Sequence, residues 1–97
     1  MKYIEIGEDC LIGANVIIVD NDFHPVNPKN RRFSKDNIGC KEVIIKNNVF
    51  IGANSMVLKG VTIGENSVIA AGSIVTKDVE ANAVYGGNPC VKIRKLA

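Results

Sequence analysis

Aliphatic residues recur at every sixth position along most of the chain. From Ile45 the sequence divides into hexads such as IKNNVF, IGANSM and IGENSV, and two upstream hexads begin at Ile6 and Ile12. A six-residue period matches neither the period of a helix nor the alternation of a hairpin meander. The pattern instead predicts short strands that wind into a parallel β-solenoid. The first position of the hexads is occupied by Ile6, Ile12, Ile45, Ile51, Val57, Ile63, Ile69, Val75 and Ala81.

The fourth position of each hexad predicts where the chain turns. Asn, Asp and Gly tolerate a left-handed backbone conformation, so a corner can form at every sixth residue. Glycine at the second position is expected to add freedom to the same corner, at Gly7, Gly13, Gly52 and Gly64. Three hexads complete one triangular coil, so Ile63 is expected to stack on Ile45. The fourth-position residues are Asp9, Asn15, Asn48, Asn54, Gly60, Asn66, Gly72 and Asp78.

The six-residue repeat is interrupted between Ile18 and Ile45. Residues 20–42 are mostly polar and contain Pro25 and Pro28, which predicts a loop extruded from the solenoid. This loop carries His24, the only histidine of the chain. An imidazole titrates near neutral pH and suits a general base, although an exposed loop histidine without a role is the alternative. Its second ring nitrogen needs an orienting acceptor, for which Asp20, Asp22 and a backbone carbonyl are candidates.

Composition excludes several classes of function. The net charge of +2 is too small to indicate nucleic acid or an anionic membrane as a partner. No membrane-spanning stretch and no signal peptide are found, so a cytoplasmic location is expected. The three cysteines lack CxxC spacing, and one histidine cannot form a three-histidine zinc site, so no metal is expected.

Three stretches resemble the hexapeptide-repeat acyltransferases. They are HPVNP…RR, VFIGANSMVLKGVTIGENSVIAAGSIVTKDV and YGGNPCVKIRKL, which together cover nearly the whole chain. The similarity is to the C-terminal part of the branch with the maltose, galactoside and nodulation-sugar O-acetyltransferases. It implies an all-β fold, the left-handed parallel β-helix, with acetyl-CoA as acyl donor and no metal. It also implies a homotrimer whose CoA grooves lie between neighbouring chains.

The same resemblance implies roles for individual residues. His24 corresponds to the general base, and Ala53 and Ala71 correspond to the lining of the pantetheine cleft. Lys29, Arg31 and Arg32 are candidates to guide the donor or a polar acceptor, and a solvated loop tip explains them equally well. One departure is Val91, where many relatives carry a basic residue, with Lys92 following it. Positions expected near the CoA phosphates are Thr76, Lys77 and Arg94, and positions expected near the substrate are Asp22, Phe50 and Arg32.

The predicted organisation is a single β-helix domain over residues 1–97. It comprises a first coil at 1–19, the extruded loop at 20–42, repeat coils at 43–86 and a C-terminal tail at 87–97. Coils that relatives carry before the stretch YIEIG are expected to be lacking. The predicted function is acetyl-CoA-dependent O-acetylation of a sugar or another small hydroxyl acceptor, with N-acetylation of an amino sugar left open. A catalytically inactive or truncated solenoid that acts as a trimeric scaffold is the alternative.

Overall fold

A computed structural model describes residues 2–34 and 38–96, and in these ranges the backbone consists of short strands and turns. No helix in this part of the chain is long and apolar enough to cross a membrane. Most strands have two or three residues, as a chain that turns every six residues requires. The strands are β1 (Ile4–Ile6), β2 (Leu11–Ile12), β3 (Ile17–Ile18), β4 (Val43–Ile45), β5 (Phe50–Ile51), β6 (Met56–Val57), β7 (Thr62–Ile63), β8 (Val68–Ile69), β9 (Ile74–Val75), β10 (Ala83–Gly87) and β11 (Cys90–Lys95).

These strands stack into three sheets, which form the sides of a triangular prism. The first sheet has the order β1-β4-β7, the second β2-β5-β8-β10-β11, and the third β3-β6-β9. Neighbours in each sheet are parallel, apart from the antiparallel pair β10 and β11. The expected stacking is confirmed, because the register places Ile45 opposite Ile63, Ile51 opposite Ile69, and Val57 opposite Val75.

First-position side chains fill the interior of the prism. Ile45, Ile51 and Ile63 are all fully buried, and burying one such side chain stabilises the fold by about 1.5–3 kcal/mol. Ile6 and Ile12 depart from the expectation, since they are 47% and 41% exposed. They belong to the outermost coil, which has a neighbouring coil on one side only among the described residues.

Buried serines at the fifth hexad position tie one coil to the next. Ser55, Ser67 and Ser73 are at most 1% exposed. The Ser73 hydroxyl donates to the Ala70 carbonyl at 2.6 Å and accepts from the Gly87 amide at 3.1 Å. A hydroxyl inside an apolar prism is tolerated because its hydrogen bonds replace those that it made to water.

The corners form at the fourth hexad position, as the sequence predicts. Positive φ angles occur there, for example 58° at Asn48 and 65° at Asn66. The expectation for the second-position glycines is wrong, because none of them is among the residues with positive φ. They instead allow close approach of adjacent coils. A Cβ atom on Gly52 would lie 2.5 Å from the backbone nitrogen of Ala71, which no side chain could avoid.

Stacked asparagine side chains reinforce one edge of the prism, and they lead to a prediction about stability. The Asn48 amide donates to Asn66 at 3.0 Å, and the Asn66 amide donates to Asn82 at 2.8 Å. We expect Asn66→Ala to lower the free energy of unfolding by about 2 kcal/mol, through two lost hydrogen bonds and an unfavourable φ. Chemical denaturation measures this loss. Asn66→Gly is the control, because glycine keeps the positive φ and loses the hydrogen bonds alone. Equal losses in the two variants would contradict the contribution of φ.

The last coil is shorter than the hexad count predicts. Val79 bridges to Ile63, where Ala81 was expected, and Ala83 is buried. Asp78 has no positive φ, and the next corner, which an uninterrupted count would place at Val84, forms at Asn82. The coil is two residues shorter than its neighbours, and Asn82 still stacks on Asn66 through a side-chain hydrogen bond.

Residues 87–97, which the hexad count leaves as a C-terminal tail, largely belong to a hairpin. β10 continues the second sheet, and β11 turns back along it with Val84 opposite Arg94. Tyr85 and Cys90 pack against the core at this end of the prism. Burial raises the pKa of the Cys90 thiol, which a hydrogen bond with Ser73 partly offsets. The hairpin therefore covers the last coil, and its period of two explains why the count of six fails there.

A neck of antiparallel hydrogen bonds closes the base of the extruded loop. Asn21 bridges to Cys40, the Asp22 amide donates to the Gly39 carbonyl at 2.9 Å, and the Lys41 amide donates to the Asp20 carbonyl at 2.9 Å. The buried Asp20 carboxylate accepts a hydrogen bond from the Asn21 side chain at 2.9 Å. The described parts of the loop therefore leave the prism between β3 and β4, and residues 35–37 of the predicted loop lie outside the described residues.

Candidate functional site

Two edges of the prism carry most of the residues that the sequence analysis singled out. We call edge 2/3 the place where the chain passes from the second sheet to the third. We call edge 3/1 the place where it leaves the third sheet for the first. The extruded loop leaves the prism at edge 3/1 of the outermost coil. Edge 2/3 comprises residues 13–16, 52–55 and 70–73, and edge 3/1 comprises residues 58–61 and 76–78 above the loop.

Local turns fix the backbone at His24. The His24 amide donates to the Asp22 carbonyl at 2.7 Å, across Phe23 with its φ of 64°. Pro25 is buried and restricts the backbone directly after the histidine. His24 itself is exposed. The loop thus presents the imidazole to solvent from a constrained segment.

One contact orients the imidazole ring. The Nδ1 atom of His24 lies 3.2 Å from the carbonyl oxygen of Arg31. A carbonyl oxygen only accepts hydrogen bonds, so this contact places a proton on Nδ1 and leaves Nε2 of the neutral ring unprotonated. Of the three candidate acceptors, the structure therefore selects a backbone carbonyl rather than Asp20 or Asp22.

The surface beside His24 is concave and is formed by the loop. It is lined by His24, Pro28, Asn30, Arg31, Arg32 and Phe33. The guanidinium carbon of Arg32 lies 5.6 Å from the centre of the Phe33 ring, which is 80% exposed. Of the three residues expected near the substrate, Arg32 is the one that lines this concavity.

Asp22 lies at the base of the loop and faces a different concavity. Its carboxylate is 3.7 Å from the Lys59 ammonium group. It lines a mainly apolar depression on the third sheet, together with Ile17, Val19, Asn21, Phe23, Met56 and Leu58. Asp22 therefore contacts His24 through its backbone carbonyl, whereas its carboxylate faces Lys59.

Ala53 and Ala71 lie together on edge 2/3. The Gly72 amide donates to the Ala53 carbonyl at 2.9 Å, which fixes the two turns one above the other. Ala71 is exposed and Ala53 is partly exposed. With methyl side chains alone, this edge lets an elongated ligand approach the backbone closely.

The remaining predicted residues are distributed over edge 3/1, the second sheet and β11. Thr76 and Lys77 are exposed on edge 3/1, the same edge from which the His24 loop departs. Phe50 is 46% exposed on the outer face of the second sheet, and Arg94 lies on β11 opposite Val84. One chain therefore places Ala53 and Ala71 on a different edge from His24, Thr76 and Lys77.

Lys92 is engaged within its own chain. Its ammonium group lies 2.6 Å from the Glu80 carboxylate. This hydrogen bond from Lys92 lowers the pKa of Glu80. Lys92 thus forms an ion pair that joins β11 to the last coil.

Sequence reasoning missed the part that Arg31 plays. Its carbonyl orients His24, and its guanidinium group donates to the Val26 carbonyl at 2.7 Å. The sequence does not distinguish Arg31 from the adjacent Arg32, and it does not indicate that the Arg31 side chain bonds to the loop backbone. No cluster of three or more His, Cys, Asp or Glu side chains suited to a metal ion occurs among the described residues.

Comparison with known families agrees with this architecture. Residues 42–77 match the family described as bacterial transferase hexapeptide (six repeats), and residues 3–19 match the hexapeptide repeat of succinyl-transferase. The chain belongs to the hexapeptide-repeat transferases. The expected fold class, a left-handed parallel β-helix with an extruded loop, is confirmed.

The similar curated proteins include galactoside O-acetyltransferases. The chain is 48% identical over 94 residues to the galactoside O-acetyltransferase of Lactococcus lactis, a match that covers 96% of this chain and 44% of that protein. The chain thus spans less than half of this relative.

Solved structures with similar folds include complexes with the acyl donor. One is a galactoside acetyltransferase in complex with coenzyme A, with a TM-score of 0.89 and 42% identity, covering 97% of this chain and 46% of that one. Another is a hexapeptide-repeat acetyltransferase of Vibrio cholerae complexed with acetyl coenzyme A, with a TM-score of 0.88 and 36% identity, covering 97% and 50%.

Proposed function

We propose that this chain carries out acetyl-CoA-dependent acetylation of a hydroxyl group on a sugar or similar small acceptor, with His24 as the general base. The observation that carries the proposal is the orientation of the one imidazole. Its Nδ1 atom faces the Arg31 carbonyl, which leaves Nε2 as the ring nitrogen able to accept a proton, and His24 lines the loop concavity. The names of the relatives support the class of reaction and of acceptor.

The chemistry follows from the protonation of that ring. Nε2 takes the proton of the acceptor hydroxyl as its oxygen attacks the carbonyl carbon of the thioester. The tetrahedral intermediate collapses with cleavage of the C–S bond, and the imidazolium returns the proton to the sulfur of CoA. One imidazole can therefore accept the proton in the first step and donate it in the second.

Edge 2/3 is the surface that suits the pantetheine arm of the donor. Ala53 and Ala71 leave the backbone accessible along this edge, and Gly52 keeps adjacent coils close together. Thr76, Lys77 and Arg94 are the proposed contacts of the CoA phosphates, since ammonium and guanidinium groups form strong charge-assisted hydrogen bonds with phosphate. Phe50, Asp22 and Arg32 are the proposed acceptor-side residues.

Two apolar faces favour assembly into a trimer. On the second sheet, Leu11, Phe50, Val68 and Val84 form one continuous outward row. On the third sheet, Ile17, Met56 and Ile74 form another. Two different apolar faces on one chain suit a heterologous interface, in which one face packs against the other face of the next copy and the ring closes.

Such a ring would unite the two separated edges. The His24 loop of one chain would face the Ala53 and Ala71 edge of its neighbour, so each site would take its base and its donor groove from different copies. The proposal includes a cytoplasmic location, because three free cysteines suit a reducing compartment.

Donor binding and turnover test the proposal together. Calorimetry with CoA and with dephospho-CoA measures binding, and release of the CoA thiol measures transfer to galactosides, maltose and amino sugars. We expect binding of CoA, weaker binding of dephospho-CoA, and thiol release that depends on a hydroxyl acceptor. Absence of CoA binding from a folded oligomer would favour the scaffold alternative. Turnover with amino sugars alone would replace O-acetylation by N-acetylation.

A further inference from the structure

Arg31 makes two contacts back across the loop, and they serve different partners. Its carbonyl oxygen lies 3.2 Å from Nδ1 of His24. Its Nη2 atom donates to the carbonyl of Val26 at 2.7 Å. The backbone of Arg31 therefore contacts His24, the proposed base, while the Arg31 side chain bonds to the backbone two residues after His24.

The side-chain contact is the shortest hydrogen bond that the structure gives between residues 26 and 31. The Arg31 amide lies 3.4 Å from the Pro28 carbonyl, which is a long hydrogen bond. Val26 is 74% exposed, so no apolar burial holds it in place. A charged donor at 2.7 Å is both shorter and stronger than a neutral contact at 3.4 Å.

Residues after Arg31 turn away from His24. The amides of Phe33 and Ser34 both donate to the Asn30 carbonyl, at 3.0 and 2.8 Å. These turns fix the chain beyond Arg31, and they do not reach residues 24–26. The guanidinium contact is thus one of two links, beside the carbonyl contact with His24, that join Arg31 to residues 24–26 in the described part of the loop.

We propose that Arg31 is a positioning residue, whose guanidinium group holds its own carbonyl against His24 and thereby selects the tautomer with Nε2 free to accept a proton. The catalytic consequence rests on the proposed function. The tautomer itself is a property of the free protein, so it can be measured whether or not the chain transfers acetyl groups.

Nitrogen NMR on the histidine ring tests the inference directly. Because the chain has one histidine, selective ¹⁵N-histidine labelling without a histidine tag gives one pair of ring signals. In the neutral ring we expect a protonated Nδ1 and an unprotonated Nε2. In Arg31→Met, which keeps the length of the side chain and removes its donors, the averaged shifts should move toward the Nε2-protonated form. Arg31→Lys, which retains one donor, should lie between the two.

Lys29→Gln is the matched control for charge. Lys29 lies on the same loop, and its backbone amide, rather than its side chain, makes the hydrogen bond to Asn27. We expect its tautomer to equal that of the wild type. A thermal unfolding midpoint common to all variants would establish that the prism is intact.

Kinetics provide the second readout. We expect Arg31→Met to lower kcat roughly tenfold while KM for the donor changes less than about twofold, because a misplaced base affects the transition state more than donor binding. Partial recovery of kcat in Arg31→Lys would support the positioning role.

The outcomes separate the two proposals. A wild-type ring protonated on Nε2, or a tautomer unchanged in Arg31→Met, would overturn the role of Arg31. A tautomer that shifts as expected in a protein without acetyl transfer would support the role of Arg31 and overturn the proposed function.

Discussion

Replacing His24 by alanine is expected to lower kcat by roughly 10²- to 10⁴-fold, the contribution that a positioned general base usually makes. The expectation follows from the geometry of the loop, where the Arg31 carbonyl faces Nδ1, Nε2 is left to accept a proton, and His24 lines the concavity. Donor affinity should change little, since His24 and edge 2/3 belong to different parts of the chain. Thiol release measures kcat, and calorimetry with CoA measures affinity.

His24→Asn is the companion variant, because its side-chain amide can still donate to the Arg31 carbonyl. It should preserve the shape of the loop and lose the base. We therefore expect the asparagine variant to be as inactive as the alanine variant. Substantial activity in either variant would show that another group, or the acceptor itself, accounts for proton removal.

Blocking edge 2/3 is the second change with a large expected effect. We expect Ala71→Trp to weaken CoA binding at least about tenfold, the equivalent of 1.4 kcal/mol. Ala71 is exposed, so an indole is accommodated without disturbing the core, and it occupies the space proposed for the pantetheine arm. Calorimetry with CoA measures the change, and circular dichroism establishes that the fold is retained.

The chain contains a matched control on a different edge. Ala81 lies above Gly64 as Ala71 lies above Gly52, since a Cβ on either glycine would collide with the backbone nitrogen of the alanine above it. Ala81 is also exposed. Ala81→Trp should therefore leave CoA binding unchanged. Equal loss of affinity in the two variants would place the donor elsewhere.

The regular coils were predictable from sequence because each hexad has the same residue types at its interior and corner positions. An aliphatic residue every sixth position fills the interior, and a residue that tolerates positive φ forms the corner, so the register of Ile45 with Ile63 follows directly. The second-position glycines were misjudged for a physical reason. Conformational freedom and close approach both favour glycine, and the sequence alone does not distinguish them.

Where the repeat ends, the sequence signal weakens. The corner at Asn82 depends on the side chain of Asn66 one coil below, a contact between residues that a fixed count of six does not pair. The hairpin of β10 and β11 uses a period of two and so carries no hexad signal.

The candidate site was predictable only in part. His24 was identified by its residue type and its place in the interrupted rhythm, and Ala53 and Ala71 by resemblance. The partner of His24 was not, because a backbone carbonyl leaves no trace in residue identity. The placement of His24 on a different edge from Ala53 and Ala71 also required the topology, since it depends on which corner the loop leaves.

The activity of mixed oligomers tests the central claim, a site assembled from His24 of one copy and edge 2/3 of the next. At an acetyl-CoA concentration well below KM, His24→Ala and Ala71→Trp are each expected to retain about a tenth of wild-type activity or less when assayed alone. Co-expressed in equal amounts, they should regain about one quarter of wild-type activity, because a random pair of neighbours supplies an intact loop and an intact groove in one case of four. A mixture as inactive as its separate components would contradict the claim and place the whole site within a single chain.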